Sequence, residues 1–452
     1  MNFLFSYRQG QGTARKILFF SENANKGLGY LRNLIISWSI GFSNLSDLYF
    51  FIFGIATSVS SILSGALSAT FIPYSQRLGS RNKRRLLGVI IIAFTIIYLA
   101  ITIFACILMI AFSPNRSLQA LSTHSMGVMI ISGVILTFLF FQLIQIADEY
   151  FKSRRNFLFG ALSYLTINGI AIIILYCYLN KNIWLIGWAS IPPAAFICIT
   201  IYSKLNLVLF NGKDNIAPYL RQTFPLIISG SMGMINVFID RWFAAGFPEG
   251  RLSILQTALL LVTQLGGVPI NPSINSAYPF ISSLYKKNDM EKAIITIRTV
   301  EKRIISWLTI FTIGYVLLGE KIIRIFYHHG QVNLSNIHDI HRIGIVYLPV
   351  LWYSSLVSLY LRILYCNQII RFPAICSAAV IIFNIALNWL FSEWLGWQGL
   401  ALAAAVSAGV YYLCLAAFLR KINLYNASTL HVILINIPPI LMFIPFIEKF
   451  NI

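Results

Sequence analysis

Negative charge is what this sequence has least of: 14 Asp and Glu stand against 34 Lys and Arg, and charged residues make up only 11% of 452. A soluble globular domain carries roughly 25% charged residues, so that class is excluded. Cysteine is also scarce. Cys106, Cys177, Cys198, Cys366, Cys376 and Cys414 lie in or beside apolar runs without metal-ligand spacing, which leaves neither a metal site nor a disulfide framework and makes them small core residues. Walker loops, nucleophile elbows and zincin motifs are missing, and nothing repeats with a solenoid period. The first residues, MNFLFSYRQGQGTARK, have a brief apolar patch and no small-residue cleavage site. Residues 1–25 therefore read as a retained cytoplasmic or interfacial segment, with the first helix as the internal targeting signal.

What is abundant is apolar length. Hydrophobic residues reach 58% and mean hydropathy is +0.76. A crossing helix needs about 20 residues, and runs of that length recur between loop signals, giving an all-α polytopic membrane protein of about 12 to 13 spans. In the first half they lie near 26–43, 46–76, 86–112, 124–149, 156–179 and 183–209, and the polar break NGKDN follows. In the second half they lie near 217–246, 252–285, 297–318, 342–366, 370–392 and 397–420. The stretch 429–447 contains Pro438, Pro439 and Pro445, so it is a kinked thirteenth span or an interfacial segment. The organisation is thus an N-lobe over 26–210, a linker at 211–216, a C-lobe over 217–421 and a C-terminal segment over 422–452.

The formal charge of +20 sits in short loops rather than along one soluble face, which fits topology and membrane lipid and not nucleic acid. With the N-terminus inside, about 26 of the 34 Lys and Arg fall on the cytoplasmic side, among them Arg77, Arg85, Lys152, Arg155, Arg420 and Lys421. A long internal echo supports two lobes. SGALSATFIPYSQRL around Pro73 and INPSINSAYPFISSL around Pro279 each follow a small-residue-rich helix and lead into a basic loop. Six spans per half keep matching positions in the same orientation, so the expectation is a parallel pseudo-repeat with a central cavity.

Charges inside the spans mark the candidate site. Asp240 and Arg241 are adjacent in IDRWFAAGFPEG, and Arg32 and Lys26 lie in the leading span of the first half. A charge at the bilayer centre costs roughly 2.5–3.5 kcal/mol on insertion scales, so such residues face a bundle interior or a cavity. An arginine fork matches phosphate oxygens bidentately. The plainer alternatives are snorkelling or a local ion pair, although adjacent helical residues do not face one another. Gln142, Gln145 and Glu149, at i, i+3 and i+7 with Asp148 beside them, form a polar stripe that lines a cavity or meets headgroups and Arg154 or Arg155. Asp47 opens the second span as a cap or a cavity residue. Gly266, Gly267, Pro269 and Pro272 interrupt the eighth helix, as a hinge or a static kink. His328, His329, His338 and His341 fall in an outer loop expected over 319–341 and lack helical metal spacing.

These pieces resemble the MurJ/MviN branch of the multidrug/oligosaccharidyl-lipid/polysaccharide exporter superfamily. The resemblance rests on Gly27-Leu28-Gly29-Tyr30-Leu31-Arg32, Asp47, Ser64 to Pro73, Ile239-Asp240-Arg241, Pro248-Glu249-Gly250, Leu318 to Phe326, Gly330, and Gly396 to Ala401. It implies alternating access that flips an undecaprenyl-pyrophosphate-linked saccharide to the outer leaflet of the bacterial inner membrane, with cationic residues meeting the pyrophosphate. No cofactor is implied, and a coupling cation or the membrane potential would drive it. Where lipid II members of that family carry an arginine, an acidic residue and a basic pair with a glutamate, this chain has Lys26, Asn33 and the serines Ser60, Ser61 and Ser64; an eighth-helix arginine falls at Leu260. Those departures favour another lipid-linked unit, such as an exopolysaccharide or O-antigen unit, beside lipid II, with glycosyltransferases or a polymerase as functional partners.

Two other readings share the residues: a cation-coupled exporter of small molecules, and a membrane-embedded polysaccharide polymerase or ligase using Arg324 and the outer histidines. The topology is directly testable. Reporters that are active only in the cytoplasm are expected to work when fused after Arg155 or Lys421 and to fail after Asn115; the inverse pattern would place the N-terminus outside.

Overall fold

A computed structural model describes residues 11–76, 80–111, 116–154, 156–179, 181–205, 236–270, 289–367 and 371–425, with single residues and pairs between 219 and 287 and residue 369. Among the described residues all regular structure is helical. The stretch 429–447 and Pro272 lie outside them. The chain divides into two compact units, Met1–Gly250 and Arg251–Ile452.

In the first unit the helices are α1 (Gln11–Ile40), α2 (Asn44–Gln76), α3 (Ser80–Ala111), α4 (Arg116–Thr123), α5 (Ser125–Ser153), α6 (Leu158–Tyr178), α7 (Leu185–Trp188), α8 (Ile191–Leu205) and α9 (residues 236–245). Helix α1 begins at Gln11, inside the stretch expected as an N-terminal segment. The single span expected over 183–209 is present as Leu185–Ser203, with a turn between α7 and α8. Pro192 and Pro193 explain this: they lack N–H donors and their rings crowd the carbonyls four residues back, which suits a helix start and not a helix interior. Helix α2 packs on α5 and α1 on α6. Phe50, Phe51, Ile55 and Leu63 of α2 are fully buried or nearly so. Small Ala56, Ser58 and Ser60 beside them let neighbouring backbones approach, which replaces the hydrophobic driving force that lipid removes.

In the second unit α10 is Arg251–Gly267, α11 Met290–Tyr327, α12 Leu334–Cys366, α13 Arg371–Leu395 and α14 Gln398–Lys421. Helix α12 is its centre, in contact with α10, α11 and α14. The outer loop expected over 319–341 is a correction, because α11 and α12 leave only residues 328–333 between them. Ile337 and Ile340 are buried, so helical periodicity already governs the segment that holds His338, Asp339 and His341. Eight stretches among the described residues are long and apolar enough to cross a membrane, from Asn44–Ser64 to Gln398–Lys421.

Glu301 of α11 is the second unit's fully buried carboxylate, with 0% exposure. Such a charge costs several kcal/mol to desolvate unless hydrogen bonds replace water. Tyr360 Oη donates to Oε1 at 3.0 Å and Tyr425 Oη donates to Oε2. Tyr425 follows the last crossing helix, and burial beside the Glu301 charge pushes its hydroxyl above the ordinary phenol range, keeping it a donor. Tyr360→Phe removes one charge-assisted bond and is expected to cost about 1.5–3 kcal/mol. The check is the thermal unfolding midpoint in detergent, which should fall; an unchanged midpoint means that the carboxylate is held by other groups.

Candidate functional site

Every charged residue expected in the site lies in the first unit. Helix α1 carries Arg32, whose 8% exposure makes it a buried cation. Its guanidinium sits over the ring of Phe53 on α2, with Cζ 5.0 Å from the centroid. Nε makes no hydrogen bond, and among the described residues Arg32 has no ion-pair partner. Phe53 is held in turn by Tyr49 and by Phe138 of α5, at centroid distances of 5.5 and 5.2 Å.

Arg241, half-buried on α9, reaches the next residue of α2. A Cβ added to Gly54 would lie 0.7 Å from Arg241 Nη1 and 1.8 Å from Cζ, so the guanidinium occupies the space that glycine leaves. The two arginines therefore meet consecutive residues of one helix, Phe53 and Gly54. Sequence reading paired the arginines but missed both contacts. Gly54 lies in a small-residue helix whose other glycines and alanines carry the same signal, so nothing in the sequence singles it out.

The register of α9 on α2 is set at their adjoining ends. Ser43 and Ser46 hydrogen-bond each other's backbone and cap α2, with Ser46 Oγ accepting from Ser43 N at 2.8 Å. The buried Asp47 reaches instead to the turn that follows α9, where its Oδ2 accepts from Gly250 N at 2.7 Å. Glu249 Oε1 accepts from Asn44 N at 2.9 Å, in the first turn where a negative charge also complements the helix dipole. Gly250 has φ +81°, and a Cβ there would meet Phe42 O at 2.4 Å. The Pro248-Glu249-Gly250 turn thus fastens onto the start of α2. Gly54 lies seven residues beyond Asp47, about 10 Å farther along that helix.

The remaining candidates divide. Lys26 is exposed, one residue from the inward-facing Asn25. Asp240 Oδ2 accepts from Asn236 Nδ2 one turn earlier, at 3.4 Å. The stripe on α5 is inside the unit: Gln142 Oε1 accepts from Ser60 Oγ at 3.1 Å, Gln145 and Asp148 line a cavity, and Glu149 Oε1 lies 2.9 Å from Lys152 Nζ. Lys152 also pairs with Asp148 Oδ2 at 2.8 Å. Arg154 stacks on Tyr150. In the second unit α10 ends at Gly267, and the Gly266 carbonyl accepts from Trp307 Nε1 at 2.8 Å. Ser273 bonds back to the Pro269 carbonyl. His338 and His341 lie 3.7 and 3.8 Å from Glu320.

With this geometry in place, comparison with known proteins decides the family. The profile described as "Lipid II flippase MurJ" matches residues 36–445. The chain belongs to the MurJ family. It is 23% identical over 208 residues to the probable lipid II flippase MurJ of Helicobacter pylori (strain J99), a match covering 45% of this chain and 45% of that relative, which is less than half of its length. Identity to the probable lipid II flippase MurJ of Buchnera aphidicola subsp. Baizongia pistaciae is 22% over 435 residues, 89% of this chain and 82% of that one. The fold is shared with a solved lipid II flippase MurJ in an inward closed conformation, at TM-score 0.74 and 20% identity, covering 97% of this chain and 99% of that chain. MurJ membership makes the chain a multi-pass membrane protein of a family whose profile is described as a flippase, and it lends the polymerase or ligase reading no support.

Asp47 gives the first test of the site's frame. Asp47→Ala should destabilise the protein by about 1.5–3 kcal/mol, the worth of a hydrogen bond to a charged group. Asp47→Asn keeps an acceptor and should recover most of that loss. Equal melting of the two variants in detergent would show that the turn is held without this carboxylate.

Proposed function

We propose that the chain is an alternating-access flippase that carries an undecaprenyl-pyrophosphate-linked saccharide across the bacterial inner membrane, with its N-terminus in the cytoplasm. The observation that carries the reading is the state of Arg32. Taking a charged group out of water costs several kcal/mol, and a desolvated cation–π contact returns about 2. A buried guanidinium left with an aromatic face and no carboxylate is therefore poised to gain from an incoming anion. Pyrophosphate suits it, since its oxygens accept the two-pronged donation of the fork. Arg241 on the adjoining residue of α2 supplies the second fork, and Asp240 beside it tunes that charge or meets a coupling cation.

Flipping breaks no bond, so the work required is to bind the charged head, cross and release it. The break after Gly267, with Pro269 and Pro272, serves as a hinge in the second unit, and the membrane potential or a coupling cation drives the cycle. Asn33, Ser60, Ser61 and Ser64 leave the site with fewer charges than lipid II carriers of the family show, which favours an exopolysaccharide or O-antigen unit. Glycosyltransferases or a polymerase then act before and after it.

Three substitutions test this in reconstituted vesicles. Arg32→Ala and Arg241→Ala should each lower flipping at least tenfold with normal insertion. Gly54→Ala should do the same by displacing Arg241, since the atoms in its way are the flexible end of that side chain. Wild-type rates in both arginine variants would dispose of the assignment.

A further inference from the structure

A half-open cavity of about 330 Å³ lies within the first unit, bordered by α1, α2, α5 and α6, and the pyrophosphate reading leaves it unused. Asp148 forms its notable wall. The residue is 4% exposed; Oδ2 pairs with Lys152, while Oδ1 accepts no hydrogen bond among the described residues. A buried carboxylate oxygen with lone pairs to spare gains from an incoming donor. Gly160 faces it across the wall: a Cβ there would come within 2.1 Å of Oδ1, and the Gly160 backbone N–H also supports the carboxylate.

The lining defines the class of donor. Asn25, Ser60 and Gln145 offer neutral polar groups, and Phe141 and Tyr164 offer ring surface. Carboxylate and amide groups around aromatic rings suit a pyranose, which presents hydroxyls at its edge and C–H groups on its faces. Lys152 also lines the space, but it is held by both Asp148 and Glu149 and so leaves no unpaired positive charge to draw a phosphate there.

The cavity also shares helix faces with Arg32. Ser21, Asn25 and Arg32 recur at i, i+4 and i+11 on α1, one face of the helix, and Phe53 and Ser60 recur at i and i+7 on α2. Arg32 meets Phe53 at one end of these faces, while Asn25 and Ser60 line the cavity two turns away, about 10 Å along each helix, and Ser21 lines it one turn farther. Phe138 joins the two, since it packs on Phe53 and lines the cavity. That offset matches the reach of a phosphate followed by a sugar ring.

We propose that this cavity is the subsite for the first sugar of the lipid-linked saccharide, bound through Asp148, Gln145 and Asn25 beside the pyrophosphate at Arg32. The inference rests on the flippase reading above and adds where the sugar sits.

The test uses the full chain in nanodiscs of phosphatidylethanolamine and phosphatidylglycerol, with undecaprenyl pyrophosphate and undecaprenyl-pyrophosphoryl-N-acetylglucosamine as probes. The wild type should prefer the sugar-bearing probe. Asp148→Ala and the half-buried Gln145→Ala should each cut that preference about tenfold while leaving affinity for bare undecaprenyl pyrophosphate unchanged. Asp148→Asn, which keeps an acceptor, should retain most of the preference. A wild type without preference, or variants that weaken both probes equally, would overturn the subsite. So would loss of sodium or pH dependence with sugar discrimination intact, because the cavity would then be an ion site. Failure of the flippase reading looks different: Arg32→Ala would leave affinity for the bare probe unchanged.

Discussion

A guanidinium held away from water with only an aromatic ring against it is the constraint around which the first unit is arranged. Arg32 lies on α1, its ring on α2, and the ring's own support on α5. Three helices must keep their relative positions for that contact to exist. The Asp47 to Gly250 and Glu249 to Asn44 hydrogen bonds add a fourth, α9, and bring Arg241 onto the neighbouring residue of the same helix. The desolvation cost is borne by the packing of the whole unit, and an anion would recover it at the site itself.

Buried charge is treated in two ways. Glu301 is surrounded by tyrosine hydroxyls and a stack of rings, Tyr353 on Tyr412 and Tyr412 on Tyr360, and that arrangement stabilises one packing of α11, α12 and α14. Arg32 and the free oxygen of Asp148 are left with hydrogen-bonding capacity to spare. A structural charge is satisfied internally, whereas a binding charge must remain able to gain. By that criterion Glu301, like Asp47 in the first unit, belongs to the frame.

Much of the helical plan was legible because a bilayer permits few alternatives: backbone groups in hydrocarbon must pair within the segment, so apolar length translates into helices. The runs at 86–112, 124–149 and 156–179 emerge as α3, α5 and α6 with small changes at their ends. Where expectation and structure part, local chemistry explains it. Pro192 and Pro193 start a new helix within one expected span, and the buried Ile337 and Ile340 extend α12 over residues read as an outer loop. The candidate site's charges stand out in the sequence and its neutral members do not. Phe53, Gly54, Asn25 and Ser60 look like ordinary residues of apolar or small-residue helices, and each acquires a role only from a residue far away in the chain.

By itself, then, the sequence determined the class of molecule, the approximate spans and the identity of the charges that had to be placed inside them, since those follow from transfer energies that every residue carries with it. Only the tertiary structure decided that Arg32 would rest on Phe53, that Arg241 would fill the gap at Gly54, and that Asp148 would line a cavity beside Asn25 and Ser60. Such contacts depend on helix register and rotation, and these are set by the summed packing of several helices, for which no single segment carries a readable signal.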